Sequence, residues 1–182
     1  MRPPTLGANT FVSPGQVVER AIRLAAAHID DQVSVAEPDG LTTMVSLCRE
    51  GFDSVECARR ATCAGADEES DVLLIVGAMT GVEVADTVRR TARLVRDGGR
   101  LVVQLTGTTD AAAIRDALAS IRLDIASTII DRSCGRLVAY TVRRASGASA
   151  PASPVVTIVG GATTWLSPRT SSRPPLSSRG AG

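Results

Sequence analysis

Apolar residues recur at two different periods along this chain, and the alternation between the periods predicts its elements. Val18, Ala21, Ile22, Ala25 and Ile29 follow at spacings of three and four, the stripe of an amphipathic helix that stops near Asp30. Ser13 as N-cap, Pro14 at the first helical position and Gln16 closing a Ser-x-x-Gln capping box mark where it starts. Val33-Ser34-Val35-Ala36 reads as a short β-branched strand, stopped at Glu37-Pro38-Asp39-Gly40 because proline cannot continue a central ladder. Leu41, Met44, Val45 and Cys48 make the stripe of a second helix, which Gly51 closes. Ser54–Cys57 reads as another short strand, followed by a polar, Ala/Gly-rich loop to Ser70.

From residue 71 the signals strengthen. Asp71-Val72-Leu73-Leu74-Ile75-Val76-Gly77 is a nearly continuous apolar run, as expected for a strand buried on both faces of a parallel sheet. A third helix is predicted from about Val82 to Arg96, with Ala85, Val88, Ala92 and Val95 inward and Arg89, Arg90, Arg93 and Arg96 on the solvent side. Asp97-Gly98-Gly99 breaks it, and Leu101–Leu105 is a second buried strand. Asp110 caps a fourth helix with Ile114, Ala117, Leu118 and Ile121 on its stripe. Two strands follow, near 125–130 and 136–143. Their short link, Asp131–Gly135, joins only antiparallel neighbours, because a parallel return needs a dozen residues or more. The pattern predicts an α/β fold: a three-layer, Rossmann-like, mostly parallel sheet with a C-terminal antiparallel hairpin.

Composition narrows the chemistry. All 20 basic residues are arginine, so a lysine-dependent phosphate loop and Schiff-base catalysis are excluded. Aromatic residues make up 2% of the chain (Phe11, Phe52, Tyr140 and Trp165), which argues against base-stacking platforms for single-stranded nucleic acid. Net charge is +1, too small for a nucleic-acid footprint. The single histidine, His28, is placed near the end of the first helix, where the helix dipole favours its protonated form. Cys48, Cys57, Cys63 and Cys134 form no C-x-x-C pair and read as free thiols of a cytoplasmic protein. No stretch approaches the ~20 apolar residues that span a bilayer.

Three regions are expected: a flexible N-terminus over 1–12, a folded domain over 13–144, and a mostly disordered Ser/Pro/Gly/Arg-rich tail over 145–182. Within the tail, the apolar island Val155–Leu166 has two readings, a strand docked on the body or a binder of another chain. Trp165 reads as an exposed or docking anchor and not as a cofactor contact.

The run Asp71–Val76, the predicted helix after it and the stretch Arg93-Leu-Val-Arg-Asp97-Gly98-Gly99-Arg-Leu-Val-Val103 resemble the class I S-adenosylmethionine-dependent methyltransferases. In that family a helix ending in a leucine-rich turn leads through a Pro-Gly-Gly-type loop into an apolar strand; here Asp97 replaces the proline. Arg136-Leu-Val-Ala-Tyr-Thr-Val-Arg-Arg144 is similar to the closing hairpin strand. The resemblance covers roughly 7–144 and implies S-adenosylmethionine as cofactor, with methyl transfer to an unknown small-molecule or protein acceptor. It seats 33–36 as the family's second strand and leaves the first strand missing, since Arg2-Pro3-Pro4 cannot form one.

The residues it implies for the cofactor are Gly7, Glu37, Asp39, Asp67 and Gly77. Glu37 matches the acidic residue that accepts from the ribose hydroxyls; a solvated carboxylate before a turn is the plain alternative. Gly7 is the one glycine before the first helix, where the family has a glycine-rich loop. Asp67 stands in for an acid at the adenine, and Gly77 opens the segment to Gly81 that lies on the acceptor side. The thin glycine loop sets a decayed site against an active one.

A non-catalytic regulatory or scaffold module, similar to a receiver domain and acting through protein partners, is the competing class. Glu37 and Asp39 could imitate a receiver's acidic pair, yet Gly77 stands where the phosphorylated Asp belongs. A dinucleotide fingerprint needs Gly-x-Gly-x-x-Gly, and residues 77–81 supply only Gly-x-x-x-Gly. Neither a membrane nor nucleic acid is expected as a partner, and self-association stays open.

Overall fold

A computed structural model describes residues 13–36, 40–58, 69–105, 111–132, 136–145 and 154–159. Helix α1 (Pro14–Ala25) begins as its sequence indicates, with Ser13 N–H donating to Gln16 Oε1 at 3.2 Å and Gln16 N–H to Ser13 Oγ at 3.4 Å. It ends earlier than the apolar stripe suggests. Ala26 turns left-handed (φ 45°), and Ala27 N–H returns to the Ile22 carbonyl at 3.1 Å. The Arg100 guanidinium then donates to the carbonyls of Ala25 and Ala26, satisfying acceptors that a helix end leaves orphaned. Ile29 therefore falls outside the helix and is 54% exposed. His28 also lies beyond it, its N–H bound to Asp31 Oδ2 at 2.8 Å, so it does not sit in the helix dipole.

Strand β1 (Val33–Val35) follows, then α2 (Gly40–Arg49), β2 (Val55–Cys57) and β3 (Ser70–Ile75). Helix α2 is rotated from its predicted stripe. Gly40, Thr43 and Leu47 are buried, while Leu41 is 74% exposed. The buried face centres on Leu47, at one margin of the apolar arc, so periodicity alone did not single out the inward face. Helix α3 (Gly81–Thr91) passes through a short 3₁₀ turn, Ala92–Leu94, into strand β4 (Val95–Leu105). The predicted helix was thus one turn too long, and Val95 is buried as a strand residue. Helix α4 (Ala111–Ser120), strands β5 (Leu123–Asp131) and β6 (Arg136–Arg144), and a last strand β7 (Val155–Val159) complete the order. The expected cap of α4, Asp110, lies outside the described residues. Docking on the body is thus the outcome for the first part of the apolar island.

The seven strands run β2-β1-β3-β4-β6-β5-β7. The ladders β1–β2, β1–β3, β3–β4 and β5–β7 are parallel; β4–β6 and β5–β6 are antiparallel. The mostly parallel sheet with its antiparallel hairpin is as the sequence indicates. The seat of 33–35 is not. The resemblance seats this strand second, beside a missing first strand, but Val33, Ser34 and Val35 pair directly with Val72, Leu73 and Leu74. A doubly wound sheet has the order 3-2-1-4-5-6, in which the strand next to the point of reversal is the first. Among the described residues β1 fills that first seat and β2 the second, and no described strand takes the third.

Each face of the sheet carries its own core. Val17, Val18 and Ala21 of α1 and Leu47 of α2 cover Val33, Val35, Val72, Leu74 and Val102 on one side. On the other, Val84, Ala85 and Val88 of α3 and Ile114, Ala117 and Leu118 of α4 cover Leu73, Ile75, Leu101, Val103 and Tyr140. Consecutive residues of β3 point to opposite faces, which is why its sequence is apolar at every position from Val72 to Ile75.

The Asp97-Gly98-Gly99 segment does not end the strand; it bulges from it. Ser70 pairs with Val95 and Val72 with Arg100, so residues 96–99 loop out opposite Asp71. A Cβ on Gly99 would lie 2.6 Å from Val95 Cγ1, 2.9 Å from the Arg96 carbonyl oxygen and 3.0 Å from that of Asp71. Two of those neighbours are backbone and cannot rotate away. Gly99→Ala is accordingly expected to lower unfolding free energy by about 1–3 kcal/mol, the range for overpacking. Gly15→Ala, into open space within α1, should raise it by about 0.5–1 kcal/mol through the unfolded chain. Urea unfolding of both variants checks the contrast; equal effects would contradict the bulge.

Candidate functional site

From β1 the chain crosses to β2 on one side, and from β3 it crosses to β4 on the other. The winding therefore reverses between β1 and β3. Open α/β sheets bind ligands in the crevice outside the carboxyl ends of the strands at such a reversal. Ala36 at the end of β1 and Gly40 at the start of α2 stand on one bank of this crevice. The other is residues 76–80, between β3 and α3.

The first bank is held close to the second by a backbone bond from Ala36 N–H to the Leu74 carbonyl at 2.8 Å. On the second bank, Gly77 adopts φ 113°, a left-handed conformation that side-chain-bearing residues rarely reach. Its N–H donates to Gln104 Oε1 of β4 at 2.9 Å, and its carbonyl accepts from Met79 N–H at 3.0 Å. Met79 is buried in the same apolar cluster as Ala36. Thr80 caps α3: its Oγ1 accepts from Glu83 N–H at 3.4 Å, and Glu83 Oε2 accepts from Thr80 N–H at 2.7 Å. The backbone bond from Thr80, and then its side chain, hold the Glu83 carboxyl below its ordinary value of 4.5 against a slight opposing effect of burial.

Of the five residues implied for the cofactor, Gly77 lies in the crevice. Gly7, Glu37, Asp39 and Asp67 lie outside the described residues. Glu37 and Asp39 nonetheless fall in the segment joining β1 to Gly40, the first residue of α2. Asp67 belongs to the β2–β3 connection and Gly7 precedes α1. Gln104 escaped sequence reading, because it is one polar residue in an apolar strand. Thr80-Gly-Val-Glu83 was readable as a capping box had the helix start been set at Gly81.

Farther along the same edge, Asp131 ends β5 and is nearly buried, with Arg20 of α1 3.8 Å away. The described residues contain no group of three or more His, Cys, Asp or Glu placed to hold a metal ion. None of their helices is long and apolar enough to cross a membrane.

Small residues stand on both banks: buried Ala36 and Gly40 on one side, Gly77 and exposed Ala78 on the other. The fold is Rossmann-like. No protein-family model matches the chain, and no curated protein does. Solved structures similar to it include N-methyltransferase NodS from Bradyrhizobium japonicum WM9, at 9% identity over 72% of this chain and 96% of that one, TM-score 0.44. SAM-bound CalS10, an amino pentose methyltransferase from Micromonospora echinaspora, is 14% identical over 72% and 92%, TM-score 0.44. TrmN from Thermus thermophilus is 14% identical over 71% and 48%, TM-score 0.49. Strand order and ladder register remain the basis for the fold assignment.

The Thr80–Glu83 box makes a pH prediction. A carboxyl held below its ordinary value stabilises the fold fully above about pH 4.5 and loses that contribution as pH falls through the lowered value. The wild-type advantage over Glu83→Gln in urea midpoint should therefore shrink between about pH 6 and about pH 3. A gap that stays constant over that range would contradict it.

Proposed function

We propose that this chain is a methyltransferase-like protein that binds S-adenosylmethionine in the crevice between β1 and β3. The observation that carries the reading is the direct β1–β3 ladder. It makes residues 36–40 the loop after the first strand of the sheet, the position from which a doubly wound domain presents backbone to its ligand. Set against the sequence reading, the loop to consider is therefore the one containing Glu37, Asp39 and Gly40, and not the one containing Gly7.

Within this reading, Glu37 moves with its strand: it follows the first strand and not the second, which carries the family's ribose acid. With Asp39 it offers carboxylate acceptors to donor groups of the ligand ahead of α2. Gly77, held by Gln104, keeps the opposite bank free of side chain. The bound cofactor would supply an electrophilic methyl group, and the chain's own part is to hold donor and acceptor in line. The acceptor is a small molecule or a protein side chain. A receiver-like scaffold is less well supported, because β6 lies antiparallel between β4 and β5.

Calorimetry and thermal shift with S-adenosylmethionine and its demethylated product test the proposal. Binding should raise the melting temperature, by the equivalent of about 2.7 kcal/mol at a hundredfold excess over Kd. Glu37→Gln should weaken binding about tenfold while leaving unliganded stability unchanged, the scale of one hydrogen bond to a charged group. No heat and no shift in a protein that melts cooperatively would remove the cofactor reading and leave the non-catalytic module.

A further inference from the structure

Strand β7 closes one edge of the sheet in a way that leaves it incomplete. Its five residues, Val155-Val156-Thr157-Ile158-Val159, pair with Ser127–Asp131 of β5 on one side only among the described residues. Val155, Val156, Ile158 and Val159 are between 47% and 67% exposed, so both faces of the strand stand in water. An edge strand that is apolar, without charge and without an internal proline is a template for pairing with another strand. Natural edges are normally blunted by such residues, and here none occurs from Val155 to Leu166.

Backbone direction shows which groups are open. Arg132 N–H donates to the Val159 carbonyl at 3.3 Å, so Val159 turns its backbone groups toward the β5 side. Alternation along a strand then turns those of Thr157 and Val155 the same way, and those of Val156 and Ile158 outward. Two residues whose N–H and C=O groups point outward and meet no strand among the described residues, flanking one central residue, fit an antiparallel copy of themselves. With a two-fold axis at Thr157, Val156 faces Ile158 of the second copy as a pair exchanging two hydrogen bonds, and Ile158 faces Val156 likewise. Thr157 meets its own counterpart, a cross-strand pair that favours hydroxyl contact. Each of the five positions is β-branched, so the strand reads alike in both directions. With no charge in it, self-pairing meets no like-charge repulsion.

We infer that β7 is a self-association edge, on which a second copy of this chain adds antiparallel to extend the sheet across a two-fold axis. A five-residue strand pair buries less than the ~800 Å² per partner of a standard interface, so the dimer belongs to the weak, reversible class.

Sedimentation velocity from about 1 to about 300 µM brackets micromolar dissociation. Mass should rise from the 18.8 kDa of one chain toward twice that value with concentration. Thr157→Lys, which sets like charges opposed on the axis, and Val156→Pro, which removes an outward N–H and leaves the β5 ladder intact, should each weaken dimerisation at least tenfold. Both should keep the wild-type circular dichroism and melting temperature at low concentration. Hydrogen exchange supplies a second reading: the Val156 and Ile158 amides should gain protection as concentration rises. A chain that stays monomeric throughout would overturn the inference, as would a dimer indifferent to both variants. Concentration-independent protection of those two amides would also overturn it, and would show the edge covered by this chain's own downstream residues.

Discussion

The parallel ladder between β1 and β3 is the constraint on which the rest of the molecule depends. β1 has three residues, all buried, and lies in the interior of a seven-stranded sheet. Backbone groups in such a place have no water to turn to, and each one left unpaired would cost about 1–3 kcal/mol. The pairing continues beyond the strand at both ends. Val33 N–H reaches the Ser54 carbonyl at 2.9 Å and Ala36 N–H the Leu74 carbonyl at 2.8 Å. At the amino end, the N–H groups of Asp71 and Val72 both reach the Gln32 carbonyl, while Asp71 Oδ2 accepts from Gln32 N–H at 2.8 Å. Buried Ser34 and Ser70 bring their hydroxyls to 2.5 Å of each other beside this bracket.

That bracket reaches outward as well. Asp71 Oδ1 pairs with Arg96 Nε at 2.7 Å, tying β3 to the bulge before the straight part of β4. Arg96 is more than half exposed, so the pair is worth about 0–1 kcal/mol and guides the path of the bulge more than it stabilises the fold. The next residues, Gly99 and Arg100, serve packing and helix capping in turn: one lets the strand approach the Asp71 carbonyl, and the other closes the end of α1. A short stretch that reads as a helix breaker is thus a junction between three elements.

Sequence reading recovered the parts whose environment is uniform. Val72–Val76 and Leu101–Leu105 are apolar at nearly every position because helices cover both faces, and no other setting explains such runs so simply. The start of α1 was equally readable, since its cap chemistry is local. The seat of β1 was not, because three residues carry no record of which strand lies beside them; that is decided by tertiary pairing. The face of α2 was misjudged for a related reason: its burial centres on Leu47, at one margin of the apolar arc and not at its middle. At the candidate site, Gly77 was visible as a glycine after a buried strand. Its partner Gln104, 27 positions away, becomes evident only when β3 and β4 lie side by side.

If β1 occupies the first seat of the sheet, the crevice, the loop at 36–40 and the proposed ligand site all follow from it. Nuclear Overhauser contacts between backbone protons of β1 and β3 measure this directly in the intact chain. The account predicts cross-strand contacts in parallel register, Val33 with Val72 and Val35 with Leu74. Contacts from Val72 and Leu74 to a strand formed by residues 1–12, with β1 displaced one place outward, would contradict it and restore a separate first strand.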